Sequence, residues 1–92
     1  MPLDRERKVR HLLTEIGIKM SRDGQHYGDG HKELGIKGQY ADIWRKIPPL
    51  KRLLWDGEEP VEGKEDARQI CMDLIGHCLL TIMMLDEEED RG

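Results

Sequence analysis

Apolar residues recur along this chain at helical rather than strand intervals. Val9, Leu12, Leu13, Ile16 and Met20 follow the i, i+3, i+4, i+7 spacing that gathers side chains on one helix face. Arg5, Lys8, Glu15 and Lys19 are expected on the opposite side, with Asp4 as N-cap and the helix fading near Arg22 or Asp23. A second periodic segment opens near Gln39, and Tyr40, Ile43, Trp44 and Ile47 form its expected buried stripe. Pro48 and Pro49 follow at once. Each removes a backbone donor and crowds the preceding turn, so the second helix is expected to break there and restart from Leu50 to Trp55. The third segment, from about Lys64 to Leu85, carries Ala67, Ile70, Cys71, Leu74, Ile75, Cys78, Leu79, Ile82 and Leu85. It is apolar around more than one face, which predicts the central helix.

The stretches between these segments read as connections. Gly24, Gly28, Gly30, Gly35 and Gly38 predict a glycine-rich connector of turns over residues 24–38, with at most one helical turn around Lys32 to Leu34. Residues 56–63 form an acidic loop by composition, and the acidic tail 86–92 is expected to be solvated. The expected architecture is a single all-α domain, residues 1–92, built as a small bundle of three main helices. A chain this short buries a modest core. Dimerisation through the apolar third helix is therefore expected to complete it.

Composition supports the same class. Phe is absent and Val occurs only at Val9 and Val61, which weighs against a sheet. The formal charge of -4 argues against general nucleic-acid binding, which wants a basic surface. That average hides a local patch: Lys37, Arg45, Lys46, Lys51 and Arg52 face only Asp42 between them. Cys71 and Cys78 would lie about 10 Å apart along one helix, too far for a disulfide. Reduced, buried thiols are the expectation. No signal-peptide core and no run of apolar residues of membrane-spanning length stands out, so a cytoplasmic protein without a membrane partner is expected.

The most informative polar position is Asp73, set in "ICMDLIGHCLLTIMML" among apolar neighbours. At helical spacing Asp66, Gln69, Asp73 and His77 share one narrow stripe. A carboxylate there is costly unless it meets a cation, a metal or several donors. One reading is an interhelical ion pair from Asp73 to Arg45 or Lys46, with His77 as a polar neighbour. The other is a ligand site in which Asp73 and Asp42 hold Mg²⁺ and the basic residues take phosphate oxygens. His26, Asp29 and His31 could form a metal site with Asp23, but the spacing lacks the tight Cys/His pattern of zinc sites. The glycines match neither phosphate-loop fingerprint. Ser21, Thr14 and Thr81 offer no activated nucleophile. Trp44 and Trp55 are expected as core or dimer-interface residues, and Met72, Met83 and Met84 as packing.

The order "YGDG", "GIKGQYADIWRKI", "LKRLLWDG", an acidic loop and "MDLIGHCLL" resembles a small domain of phages and actinobacteria. That domain is similar in turn to the MazG-like all-α nucleotide pyrophosphohydrolases. The matching residues are Tyr27, Gly28, Arg45, Lys46, Asp73 and Leu74, with His77 at an aromatic-ring position, over about Tyr27 to Leu85. The resemblance implies a nucleoside phosphate bound near Arg45, Lys46, His77 and Tyr27, with Mg²⁺ held by Asp73, Asp42 and Asp66. The family holds its metal with Glu-x-x-Glu on one helix and Glu-x-x-Asp on another. Here Ile70 stands three residues before Asp73, and Arg45 three after Asp42, so the carboxylate set is reduced. Two functions follow as expectations: a nucleotide-binding domain, with Mg²⁺-dependent pyrophosphohydrolysis if catalysis survives, and a non-enzymatic phage-type helical interaction protein.

Overall fold

A computed structural model of the chain describes residues 2–22 and 24–91, with side chains from 4 to 22 and from 35 to 89. All the regular structure in the described residues is helical: α1 (Pro2–Arg22), α2 (Gly24–Leu54) and α3 (Ala67–Arg91). The fold is an all-α three-helix bundle in which α2 against α3 makes the main interface. Pro2 suits a first helical position, where its missing donor has no partner to lose. Asp4 therefore falls inside the first turn, favourable to the helix dipole, rather than at the cap.

α3 starts where its cap dictates. Asp66 Oδ1 accepts the Gln69 amide at 2.8 Å, and the Asp66 carbonyl accepts the Ile70 amide at 3.1 Å. The helix then runs through the acidic tail to Arg91, where a solvated, irregular end was expected. Glutamates are good helix formers and simply prolong an established helix.

α2 departs from expectation in three ways. Its backbone is helical from Gly24, where the glycines predicted turns. Its interior break lies at Gly35 (φ 61°, ψ −140°), and helical geometry continues through Pro48 and Pro49. Proline's own φ is compatible with a helix. The carbonyls of Trp44 and Arg45, which lose their donors, belong to exposed residues and can turn to water. A positive φ, by contrast, takes the chain out of the helical region, and glycine adopts it without a Cβ penalty.

The third departure concerns which face is buried. Tyr40, Trp44 and Ile47 are exposed, together with Leu54 and Trp55. The face turned inward is Gln39, Ile43, Lys46, Leu50 and Leu53, with Gln39 only 1 % exposed. Adjacent residues differ by about 100° around a helix, so the helix is rolled by roughly that angle from the aromatic-in arrangement.

The core is small. Ile16, Ile70 and Met72 are its buried apolar side chains among the described residues. In α1 the stripe Val9, Leu12 and Leu13 is exposed and packing begins only at Glu15 and Ile16. Glu15 and Lys19, expected on the solvent side, face α3 instead and bond Arg68 and Asp73. Cys71 is half-buried and Cys78 exposed, so the expectation of two buried thiols fails at Cys78. The stretch Ala67–Glu89 is, among the described residues, long and apolar enough by length and composition to cross a membrane. The expectation that no run reaches that length is therefore not met; a mostly buried core helix passes the same measure, but only 11 % of this window is buried.

Candidate functional site

Two charged residues from different helices converge on Asp73. Lys19 from α1 hydrogen-bonds Oδ1, and Lys46 from α2 donates to Oδ2 at 3.1 Å. The Asp73 side chain is only 16 % exposed. Burial pushes its pKa up, but the hydrogen bonds and charges of both lysines outweigh that and leave it below the ordinary carboxylate value. For Lys46, burial pulls the pKa down, while the bonds to Glu65 and Asp73 prevail and leave it raised. Lys46 also holds both oxygens of Glu65 at 3.0 Å, tying the start of α3's capping segment to the middle of α2.

One turn along α3, His77 Nδ1 lies 2.9 Å from Gln39 Oε1. Buried Gly38 and Gly76 flank these two residues in sequence. Burial is the main cause of the lowered His77 pKa, and the nearby Lys46 and Arg45 add to it against the opposing charge of Asp73. The α2–α3 interface is thus a ladder of polar pairs, Gln39 with His77 and Lys46 with Asp73, running antiparallel.

Beside this ladder opens a cleft of about 510 Å³ between the second half of α2, the acidic loop and the start of α3. Pro49, Leu53, Val61 and Ile70 provide apolar walls. Arg45, Lys46, Arg52 and Lys64 bring cations, Asp42, Glu58, Glu59 and Glu65 bring carboxylates, and His77 completes the lining. Arg45 is bonded to Asp42 one turn back, so that pair largely satisfies itself. Arg52 and Lys64 have no ion pair among the described residues.

Of the residues singled out in the sequence, Asp42, Arg45, Lys46 and His77 therefore line one cleft. Asp73 sits behind Lys46, outside that lining. Its expected cation is Lys46, as one alternative held, whereas Arg45 turns to Asp42. Asp66 is occupied as the α3 cap and stands before the helix, off the stripe it was expected to share. Tyr27, and the group Asp23, His26, Asp29 and His31, lie outside the residues whose side chains are described.

The fit to Mg²⁺ is poor. Mg²⁺ wants free carboxylate oxygens in near-octahedral arrangement. Asp73 is already neutralised by two ammonium groups, Asp42 by a guanidinium, and Asp66 accepts a backbone amide. No cluster of three or more His, Cys, Asp or Glu side chains suited to a metal occurs among the described residues.

Sequence reasoning missed Lys19, Gln39 and Glu65. Gln39 was readable in principle: it shares a helical stripe with Ile43, Lys46, Leu50 and Leu53, and Lys46 was already assigned a partner on α3. Lys19 carried no such mark beyond lying near Ile16 and Met20. No family model matches this chain, and comparison with curated proteins and with solved structures finds no match.

Proposed function

We propose that the cleft beside α2 binds a nucleoside phosphate. Arg52 and Lys64 take the phosphate oxygens, and Pro49, Leu53, Val61 and Ile70 receive the base or sugar. The observation that carries this reading is the pairing of an apolar wall with two cations that have no ion pair among the described residues, in a space of about 510 Å³. Binding sites for small ligands commonly fall between roughly 300 and 1,000 Å³ and combine apolar walls with few polar groups. The resemblance to MazG-like domains through Arg45, Lys46, Asp73 and His77 points to the same ligand class. No hydrolytic step is assigned, because the carboxylates that a metal would need are bonded to cations or to a helix cap.

The test is thermal unfolding with ATP, dATP, pyrophosphate and no ligand, each with and without Mg²⁺. A ligand present at 100 times its Kd adds about 2.7 kcal/mol of stability by mass action. A saturable rise with a nucleotide, abolished by Arg52→Glu and Lys64→Glu, supports binding. No shift with any of them at millimolar concentration overturns it.

A second reading, the helical interaction protein, is favoured by a different observation. Among the described residues, fifteen large hydrophobic residues are exposed, against three buried. An interaction module needs no cleft ligand, and it would respond to protein concentration rather than to nucleotide.

A further inference from the structure

The single chain exposes more surface than its mass warrants. Its accessible area is 7747 Å², whereas a compact monomer of 10.7 kDa is expected to expose about 5,500 Å². Its radius of gyration, 15.2 Å, exceeds the roughly 12 Å expected for 92 residues. An excess of roughly 2,000 Å² per chain is the size that obligate homodimers bury, not that of a transient contact.

Exposed apolar residues occur on every helix among the described residues, and two of these faces carry charge at their ends. On α3, Ile75, Leu79 and Ile82 are exposed and fall within about 60° of one another, on a stripe bordered on one side by buried Met72 and Gly76. On α1, residues 4–14 are all exposed, forming an arm whose apolar stripe is Val9, Leu12 and Leu13. Both faces are helical, both are apolar, and both are exposed among the described residues.

Direction and charge say how a second copy would fit. Glu15 pairs with Arg68 and Lys19 with Asp73, so α1 and α3 run parallel. The arm of α1 therefore overhangs the N-terminal end of α3, while the acidic end of α3 lies at the opposite pole. The arm is rich in cations, Arg5, Arg7, Lys8 and Arg10, and the far end of α3 carries Asp86, Glu87, Glu88 and Glu89. We infer that two copies of this chain form a two-fold dimer in which their α3 faces meet antiparallel. In that arrangement the acidic end of each α3 is brought to the basic α1 arm of the other copy. The inference stands apart from the cleft and its ligand.

Sedimentation equilibrium of the full chain tests it. A mass of twice 10.7 kDa at micromolar concentration and low salt is expected. A monomer under those conditions overturns the proposal, as does a monomer that floats with phosphatidylcholine vesicles. Ile75→Glu with Leu79→Glu should give a monomer that keeps its helical circular dichroism; a persistent dimer refutes the assigned face. Because that variant could also unfold, reversal of Arg5, Arg7, Lys8 and Arg10 to Glu gives an independent reading at exposed positions. It should weaken association about tenfold or more, and combining it with reversal of Asp86 to Glu89 to Lys should restore it. Equal weakening without restoration sinks the arm-to-tail arrangement.

Discussion

Replacing Asp73 by Asn removes the charge that two lysines share while keeping the side chain's shape. Exposed ion pairs contribute about 0–1 kcal/mol, and breaking a fully buried pair costs about 3–5 kcal/mol. Asp73 lies nearer the second limit, at 16 % side-chain exposure, but its partners are more open, Lys19 at 32 % and Lys46 at 23 %. Lys46 also keeps Glu65 after the change. A loss of about 2–3 kcal/mol follows from that intermediate position. For a chain of this size it lowers Tm by about 10–20 °C.

Urea unfolding at neutral pH and one fixed protein concentration gives the measurement, since any association makes stability concentration-dependent. Asp42→Asn is the control: its partner Arg45 is 75 % exposed, so the change should stay within about 0.5 kcal/mol. Repeating Asp73→Asn in a Lys19→Met, Lys46→Met background should shrink the loss, because the lysines it would strand are gone. If Asp73→Asn costs under about 0.5 kcal/mol, or costs the same in both backgrounds, the three-charge lock is not what holds the helices.

Gly35→Ala should cost about 1–3 kcal/mol in the same assay, because φ of 61° is strained for any L side chain and a Cβ there meets no atom within 4 Å; unchanged stability would place the chain break elsewhere. Asp66→Ala should cost about 1 kcal/mol through the lost α3 cap, with Asp66→Asn nearly neutral. Acidification should destabilise the fold in two stages. His77 and Asp73 both have lowered pKa values, so each contributes stability present above its unfolded value and lost as pH falls through its folded one. The first loss begins below about pH 6.5 and the second below about pH 4, and a urea midpoint that is flat from pH 7 to pH 3 would contradict both shifts.

Helix type was legible from the spacing of apolar residues, because period 3.6 is a local property that needs no knowledge of the partner. The inward face of α2 was not, and the reason is physical. Reading aromatics as core placed Tyr40, Trp44 and Ile47 inside, yet α3 presents Asp73 and His77 to its neighbour. Each would be costly to bury against hydrocarbon. Rolling α2 to offer Lys46 and Gln39 satisfies both at once and leaves the aromatics outside. The carboxylate's need for a cation was read correctly from one chain position. Its consequence for the other helix was not drawn. Lys19 shows the limit more sharply, since its role depends on α1 lying parallel to α3, which no local pattern encodes.

Polar pairs between the helices, with three buried apolar side chains among the described residues, specify alignment better than they supply stability. Slipping α2 along α3 would take Lys46 from Asp73 and Gln39 from His77, which favours the observed register, while little apolar area inside one chain rewards folding. In the proposed dimer, the faces still open to water supply further apolar burial. The two kinds of interaction should then respond differently to salt. The Asp73 lock is partly buried and screened weakly, whereas arm-to-tail attraction between exposed charges falls off over a Debye length of about 8–10 Å at physiological ionic strength. Rising salt should therefore loosen association before it disturbs the register of the helices, and the exposed stripes of α1 and α3 would become the first apolar surfaces offered to solvent.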